Sequence, residues 1–188
     1  MTLYLIRHGN TVANEQHLYC GSTDLSLSPE GRAKLQGRVY PKGEFYLTSG
    51  MKRTDETMEI LYPGVPYRAD ERLREMDFGC FEMKSYEQLK DDLAYQEWIS
   101  GDNESNRCPG GESGAEALAR AMNALEKICA HDINTVVVTH GGVIAGAMGL
   151  WFPGEGKNRY QWQPKPGEGY AITVSNKKPI CYKQLDLE

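Results

Sequence analysis

Residues 3–9 of the chain read LYLIRHG, and the architecture can be predicted outward from them. An uninterrupted apolar run is followed at once by Arg7, His8 and Gly9. Continuous apolar runs of this length are typical of strands buried on both faces of a parallel sheet. The segment therefore predicts an inner strand at residues 3–6, with a cation and an imidazole directly after it.

A second segment, at residues 135–142, has the same design and reads TVVVTHGG. Its β-branched run at residues 135–138 predicts another buried strand, which His140 and Gly141 follow. Ligands of parallel sheets bind beyond the carboxyl ends of the strands. We therefore expect the two histidines to meet at one edge of the sheet.

The rest of the chain supplies the other elements of an α/β fold. Further strands are predicted at residues 44–48 and 65–68, the latter at an edge because of Pro66, and a closing hairpin at 170–174 and 180–185. Helical patterns cover residues 28 to about 39, 52–61, 86–99, a stretch opened by Glu112 and Ser113, and about 142–151. This alternation predicts a three-layer sandwich: a mostly parallel central sheet, helices on both faces and an antiparallel C-terminal hairpin at the edge.

The length of 188 residues favours a single domain over residues 1–188. Within it, residues 69–113 are predicted to be an insertion that partly forms a lid. Residues 153–169 contain three prolines and four glycines. We interpret them as a plain connector, with an ordered loop near the site as the alternative. Tyr160 and Trp162 are expected to pack, and stacking on a ring of the substrate is their alternative role.

Composition excludes several classes of function. The net charge of −5 argues against a nucleic-acid partner. The five cysteines are widely spaced without a CxxC pair, which argues against a zinc site or a disulfide framework and fits a reducing cytosol. No signal peptide precedes the first strand, and the longest apolar run, at residues 143–152, is too short to span a bilayer. We expect a soluble cytoplasmic protein with no membrane partner.

Charged and polar residues follow three of the predicted strands. Arg7 and His8 come after the first, Arg53 shortly after the second, and His140 and Gly141 after the run of valines. Each group precedes a turn or a helix start, whose unpaired N–H groups favour an anion. Arginine binds phosphoryl oxygens in pairs and keeps its charge. The pattern predicts a site for a phosphoryl group.

The residue types also suit phosphoryl transfer. A neutral imidazole can attack phosphorus without first losing a proton, and it leaves readily in a second step. Nearby arginines favour the neutral form, so His8 is our candidate nucleophile. The leaving alkoxide needs a proton, and we choose Glu75 as its donor. Composition and periodicity alone do not separate Glu75 from Asp77 or Glu82.

The motifs resemble those of the histidine phosphatase superfamily, also called phosphoglycerate-mutase-like. Arg7-His8-Gly9 with Thr11 and Asn14 is similar to its opening motif. Later blocks resemble the family in the same order: residues 21–24, 27–31, Ser49 with 53–57, 73–79, 110–113 and 138–142. The resemblance covers about residues 3 to 175 of the chain.

The resemblance implies a role for each candidate residue. The first histidine is phosphorylated, the arginines and the second histidine hold the phosphate, and the glutamate is acid and then base. Carried over, these are His8, Arg7, Arg53, His140 and Glu75, with phosphate contacts from Asn14 and Gly141. No metal and no cofactor are implied, and the expected partner is a small phosphomonoester.

The subfamily is less sharply defined. The block around Glu75 most resembles alpha-ribazole phosphatases, and the short chain resembles phosphatases rather than mutases. Asn10, Lys34, Met83 and Ala145 depart from common family residues. Two alternatives stay open: a phosphoglycerate-type mutase, and a non-catalytic protein that binds phosphate ligands. The oligomeric state, monomer or homodimer, is also open.

Overall fold

A computed structural model describes residues 1–101 and 104–185 of the chain. Six strands form one sheet in the order β3-β2-β4-β1-β5-β6. The strands are β1 (Thr2–Arg7), β2 (Phe45–Thr48), β3 (Arg68–Ala69), β4 (Thr135–Thr139), β5 (Gly169–Ser175) and β6 (Lys178–Leu185). The helices are α1 (Val12–Glu15), α2 (Pro29–Leu35), α3 (Lys52–Leu61), α4 (Tyr86–Leu89), α5 (Leu93–Ile99), α6 (Gly114–Ala130), α7 (Gly141–Trp151) and α8 (Arg159–Trp162).

The sheet is mixed, as the sequence predicted. Strand β4 lies between β1 and β2 and is parallel to both, and β2 is parallel to β3. Strand β5 runs antiparallel to β1 and pairs with β6 as the closing hairpin. All five residues of β4 are buried, which explains its unbroken β-branched sequence. The predicted fold class is confirmed.

Side chains of the central strands alternate between two apolar layers. On β1, Leu3 and Leu5 belong to the layer that includes α6 and α7, whereas Ile6 belongs to the layer that includes α3. On β4, Val137 joins the first layer and Val136 the second. Each fully buried aliphatic side chain contributes about 2 kcal/mol to folding. Helices therefore cover both faces of the sheet and fix the positions of the strand ends.

A third apolar cluster lies mainly within the segment of residues 69–113, which was predicted to be an insertion. Met76, Phe81, Leu89, Tyr95 and Trp98 are buried there. The insertion thus has its own packed interior against the start of α6. That it acts partly as a lid stays a prediction.

Two of the predicted helices are wrong in their bounds. Helix α2 ends at Leu35 rather than near residue 39, because Gln36 is extended and Gly37 has a left-handed φ of 77°. The helix predicted over residues 86–99 is two helices, α4 and α5. The Asp92 side chain accepts hydrogen bonds from the N–H groups of Ala94 and Tyr95, so it starts a new helix.

The fourth predicted strand is also shorter than expected. Residues 65–68 contribute only their last residue to β3, which is Arg68–Ala69. Pro66 cannot donate to a ladder, and β3 lies at the sheet edge as this residue predicted. Among residues 1–101 and 104–185, none of the helices combines the length and apolar character that crossing a lipid bilayer requires.

Candidate active site

The sheet register brings the two candidate histidines together. Arg7, the last residue of β1, pairs with Thr139, the last residue of β4. His8 and His140 each follow by one residue, so they leave neighbouring parallel strands at the same level. Their ring centroids lie 5.2 Å apart at an interplanar angle of 64°. The prediction that these histidines meet at one sheet edge agrees with this geometry.

His8 is held with one ring nitrogen unprotonated. The side chain is 5% exposed, and its Nδ1 lies 2.7 Å from the Gly9 carbonyl oxygen. A carbonyl only accepts, so Nδ1 carries the hydrogen and Nε2 keeps its lone pair. Burial, followed by the charges of Arg53 and Arg7, lowers the pKa of His8 well below its usual value. The ring is therefore neutral near pH 7.

His140 is fully buried and has partners on both ring nitrogens. Arg53 Nε donates to Nδ1 at 3.3 Å, which leaves the ring hydrogen on Nε2, 2.8 Å from Ser49 Oγ. The chain of donors continues from Ser49 to Thr54, whose hydroxyl donates to the Met51 carbonyl. Burial, then Arg53, His8 and Arg7, lowers the pKa of His140 well below its usual value.

Backbone carbonyls hold the two candidate arginines. Arg7 Nη1 donates to the Pro164 carbonyl at 2.8 Å. Arg53 is 1% exposed, and its Nη1 and Nη2 donate to the carbonyls of Thr23 and Gly21 at 2.9 and 2.7 Å. Burial lowers the pKa of both guanidinium groups, yet arginine stays charged at any physiological pH. Both side chains are thus fixed in place with their charge available.

Glu82 organises the loop that receives Arg53. Its carboxylate accepts from the N–H groups of Gly21 and Ser22, both at 2.9 Å, and from the Thr23 hydroxyl at 2.7 Å. The Gly21 carbonyl then faces Arg53. A Cβ at Gly21 would lie 1.6 Å from the Met76 carbonyl oxygen, so only glycine fits where this loop crosses the Glu75 segment. Glu82 acts as a loop anchor.

Glu75 is the candidate acid that reaches the cavity. Its Oε2 accepts from the Gly142 N–H at the start of α7 at 2.8 Å, and its Oε1 from the Met76 N–H at 3.0 Å. Glu75 and His8 line the same cavity, whereas Asp77 and Glu82 are engaged by the loops around it. The structure thus separates three acids that composition and periodicity alone left equivalent.

The Glu75 loop is itself braced from α6. Arg120 donates to the carbonyls of Arg72 and Arg74, at 2.9 and 3.0 Å, and to that of Glu75 at 3.3 Å. It also binds Glu112 through two nitrogens at 3.1 and 2.8 Å. Such a two-pronged pair is geometrically specific. Arg120 therefore fixes the backbone of the acid, a role that the sequence motifs did not reveal.

Asn14 and Gly141 complete the predicted set. The Asn14 side-chain oxygen accepts from the Thr11 N–H and hydroxyl, both at 3.0 Å, so its amide N–H₂ remains for the cavity that it lines. Gly141 is the first residue of α7, where backbone N–H groups favour an anion. A Cβ there would lie 2.4 Å from Gln163 Nε2 and 3.1 Å from Arg7 Cζ.

These residues surround a cavity of about 750 Å³. Arg7, His8, Asn14, Glu75 and Gly141 line it. Arg53 and His140 are buried behind this floor and do not line the cavity themselves, although the His140 ring is in edge contact with His8, which does. Within the described part of the chain, no three His, Cys, Asp or Glu side chains are grouped so as to hold a metal ion.

Residues 153–169 contribute to the cavity, as in the alternative interpretation of this segment as an ordered loop near the site. Asn158, Arg159, Tyr160 and Gln163 line the cavity, so the interpretation of this segment as a plain connector is wrong. Trp162 is 1% exposed and packs as expected, whereas Tyr160 is 80% exposed, so the prediction that it packs is wrong. The segment lacks a periodic pattern, and only its aromatic residues could have indicated proximity to the site.

The fold and the residues at its strand ends define a class of α/β proteins that gather two histidines and two arginines at one edge of a mixed sheet. The family model described as "Histidine phosphatase superfamily (branch 1)" matches residues 3–184. The chain therefore belongs to the histidine phosphatase superfamily, as its motifs indicated.

Individual relatives carry different activities in their names. "Putative phosphoserine phosphatase 2" of Hydrogenobacter thermophilus is 32% identical over 153 residues, covering 76% of this chain and 74% of that protein. A phosphoglycerate mutase structure from Thermus thermophilus is 30% identical, with a TM-score of 0.75 and coverage of 99% and 100%. The alpha-ribazole phosphatase of Shigella flexneri, 23% identical, superposes with a TM-score of 0.82 over 95% and 93% of the two chains and shares the fold.

Proposed function

We propose that the protein is a metal-independent phosphatase that hydrolyses a small phosphomonoester through a phosphohistidine on His8. The observation that carries this proposal is the state of His8. Its Nδ1–H is bound to the Gly9 carbonyl at 2.7 Å, which leaves an unprotonated Nε2 beside two arginines. A neutral nucleophile next to fixed positive charge suits attack on a phosphoryl group.

In the first step, the Nε2 lone pair of His8 forms a bond to phosphorus while the bond from phosphorus to the ester oxygen breaks. The proton of the Glu75 carboxyl group passes to the leaving oxygen. Arg7, Arg53 and the Gly141 N–H bind the phosphoryl oxygens, whose charge they balance. His140 Nδ1 accepts the hydrogen bond from Arg53 Nε and so orients the guanidinium group.

In the second step, the Glu75 carboxylate takes a proton from water. The water oxygen bonds to phosphorus, and the phosphorus–nitrogen bond breaks with its electron pair returning to Nε2. Inorganic phosphate leaves, and Glu75 is again protonated. Each residue therefore ends the cycle as it began, without a co-reactant other than water.

For the leaving group, alpha-ribazole phosphate is our first candidate. The motif around Glu75 supports it, and so does the cavity of about 750 Å³, which is in the range that holds drug-sized ligands. Relatives named for phosphoserine and phosphoglycerate make smaller acids the competing class. A screen of these esters for phosphate release ranks them directly.

The second candidate function is a phosphoglycerate-type mutase, favoured by the relative from Thermus thermophilus. A mutase returns the phosphoryl group to another oxygen of the same substrate and must exclude water. Isomerised product in excess of free phosphate would establish it. A non-catalytic binding protein is the remaining alternative, and no phosphate release across the whole screen would favour it.

The test of the proposal is to trap the intermediate. Rapid acid-free quenching of wild type with a labelled phosphomonoester should yield a protein-bound label that is acid-labile and alkali-stable. We expect His8→Ala to lose the label and to lower turnover by about four orders of magnitude or more. His131→Ala, at an exposed histidine, is the matched control and should keep both. Equal labelling of His8→Ala and wild type would overturn the assignment.

A further inference from the structure

The outer part of the cavity is aromatic. Tyr19, Phe78, Tyr95 and Trp98 all line it, and we call these four residues the aromatic wall. The Tyr19 ring lies 5.2 Å from Phe78 and 5.6 Å from Trp98, measured between centroids, in tilted and edge-on contacts. The Tyr19 and Tyr95 hydroxyls are 2.7 Å apart. These contacts make the wall a rigid surface.

Tyr160 of α8 lines the same cavity from a different segment, although it is 80% exposed. Tyr19 lines that cavity too, and after burial and Tyr95 the Tyr160 phenol is one of the causes that raise the pKa of Tyr19. An exposed aromatic ring beside a cavity is a surface on which a ligand can pack. Tyr160 and the aromatic wall therefore bound the same space.

The charges around this space are balanced. Among the described lining residues, Arg7 and Glu75 belong to the floor. The other two charged residues, Arg159 and Glu104, pair with each other at 2.5 Å. Tyr95 and Trp98 are almost fully buried, so the ring surface open to the cavity comes from Tyr19 and Phe78, which are partly exposed. This apolar surface without net charge suits a neutral ring better than a carboxylate.

We propose that the space between Tyr160 and the aromatic wall binds a planar aromatic ring carried by the leaving group of the substrate, an inference that rests on the proposed function. The phosphoryl group occupies the floor at His8, and the ester oxygen lies at Glu75. The leaving group then extends outward, where its ring stacks against Tyr160. Tyr160 is a specificity-determining residue, because stacking requires a ring face opposite the wall.

The test compares phenylpropyl phosphate with cyclohexylpropyl phosphate. The two esters share the same leaving oxygen and differ in whether the distant ring is aromatic. Wild type should prefer the phenyl ester in kcat/KM. In Tyr160→Ala the ratio of the two kcat/KM values should fall by about tenfold, mainly through KM, and in Tyr160→Phe it should stay close to wild type. Tyr67→Ala, at a tyrosine whose hydroxyl bonds Glu59 instead, is the matched control.

An unchanged ratio in Tyr160→Ala, or an equal fall in Tyr67→Ala, would overturn the inference. So would a preference for phosphoserine over the phenyl ester that Arg159→Gln removes, because that result would assign the outer cavity to a carboxylate. If wild type hydrolyses neither ester, calorimetric binding of the two esters to wild type measures the ring preference without chemistry. The failure of the ring site and the failure of the proposed function are thus distinguishable.

Discussion

His8 and His140 are kept neutral by the same surroundings, which are burial and the two arginines. In the proposed mechanism, a protonated imidazole at position 8 could not attack phosphorus, so the arginines proposed to bind the phosphoryl oxygens would also keep His8 in its nucleophilic form. The Ser49 hydroxyl accepts the ring hydrogen of His140 and leaves its other nitrogen for Arg53. The electrostatics of the site therefore depend on residues from three separate segments.

This arrangement predicts a dependence of stability on pH. The folded pKa of each histidine lies well below 6.5, the value for an unperturbed imidazole. Below that pH the unfolded chain binds more protons than the native state, so native stability is fully present above it and falls as the pH decreases. Each histidine contributes up to about 1.4 kcal/mol per pH unit. Urea unfolding at about pH 7.5 and about pH 5.5 measures the effect.

The control for this experiment is His131→Ala, which removes an exposed histidine and should leave the pH dependence unchanged. His8→Asn should reduce it. Equal free energies of unfolding at the two pH values in wild type would contradict the electrostatic account of the site.

At the scale of elements, the start of helix α7 places backbone N–H groups at the candidate site. Gly142 donates its N–H to Glu75, and the lack of a side chain at this position leaves room for the carboxylate. A Cβ at Gly142 would lie 2.4 Å from Glu75 Oε1 and 2.9 Å from Arg159 Nη2. Both atoms are ends of flexible side chains, so a methyl group at position 142 would displace them without distorting the helix.

We therefore expect Gly142→Ala to fold normally and to lose about tenfold to a hundredfold in kcat through displacement of Glu75. Gly149→Ala on the same helix is the matched control, because its Cβ would meet only ordinary contact, with Trp162 Cδ1 at 3.9 Å. Both substitutions favour the helix intrinsically, so a loss of stability does not explain the difference. Steady-state kinetics with thermal melts check both variants, and equal kcat in the two would contradict this role of Gly142.

The elements also show what local sequence can predict. Strands β1 and β4 were predictable because short, unbroken apolar runs followed by turn residues are typical of buried strands. The break between α4 and α5 was not predictable. Asp92 lies within a helical pattern, and only the structure shows that its side chain caps the start of α5. Arg7, His8, Arg53 and His140 were predicted from their positions after buried strands, whereas Glu75 was singled out only through the family resemblance. Arg159 and Gln163 were missed, and Tyr160 was placed near the site only as an alternative, because loop residues reach a site only through the path of the whole chain.

At the scale of the whole molecule, the sheet brings two arginine side chains to the candidate phosphoryl site. Arg7 and Arg53 come from opposite sides of β4, by way of β1 and the start of α3, and meet near one point of the sheet edge. The architecture thus supplies two fixed positive charges in the place where many phosphatases use cations.

We expect that an excess of chelator leaves the activity intact, because the arginines supply the positive charge. Phosphate release before and after dialysis against EDTA is the measurement, with added magnesium as the control. A complete loss of activity that divalent metal restores would mean that the charge of the site has been misassigned.

The acceptors that hold the guanidinium groups of Arg7 and Arg53 are backbone carbonyls and one imidazole. Since no acidic side chain takes up those hydrogens among the described residues, we expect the pocket to attract any tetrahedral oxyanion, including the product of the proposed reaction. Inorganic phosphate should then compete with fresh ester for the floor of the cavity. The rate of turnover in a cell would then vary inversely with the phosphate concentration: it would fall when phosphate is plentiful and rise when it is scarce.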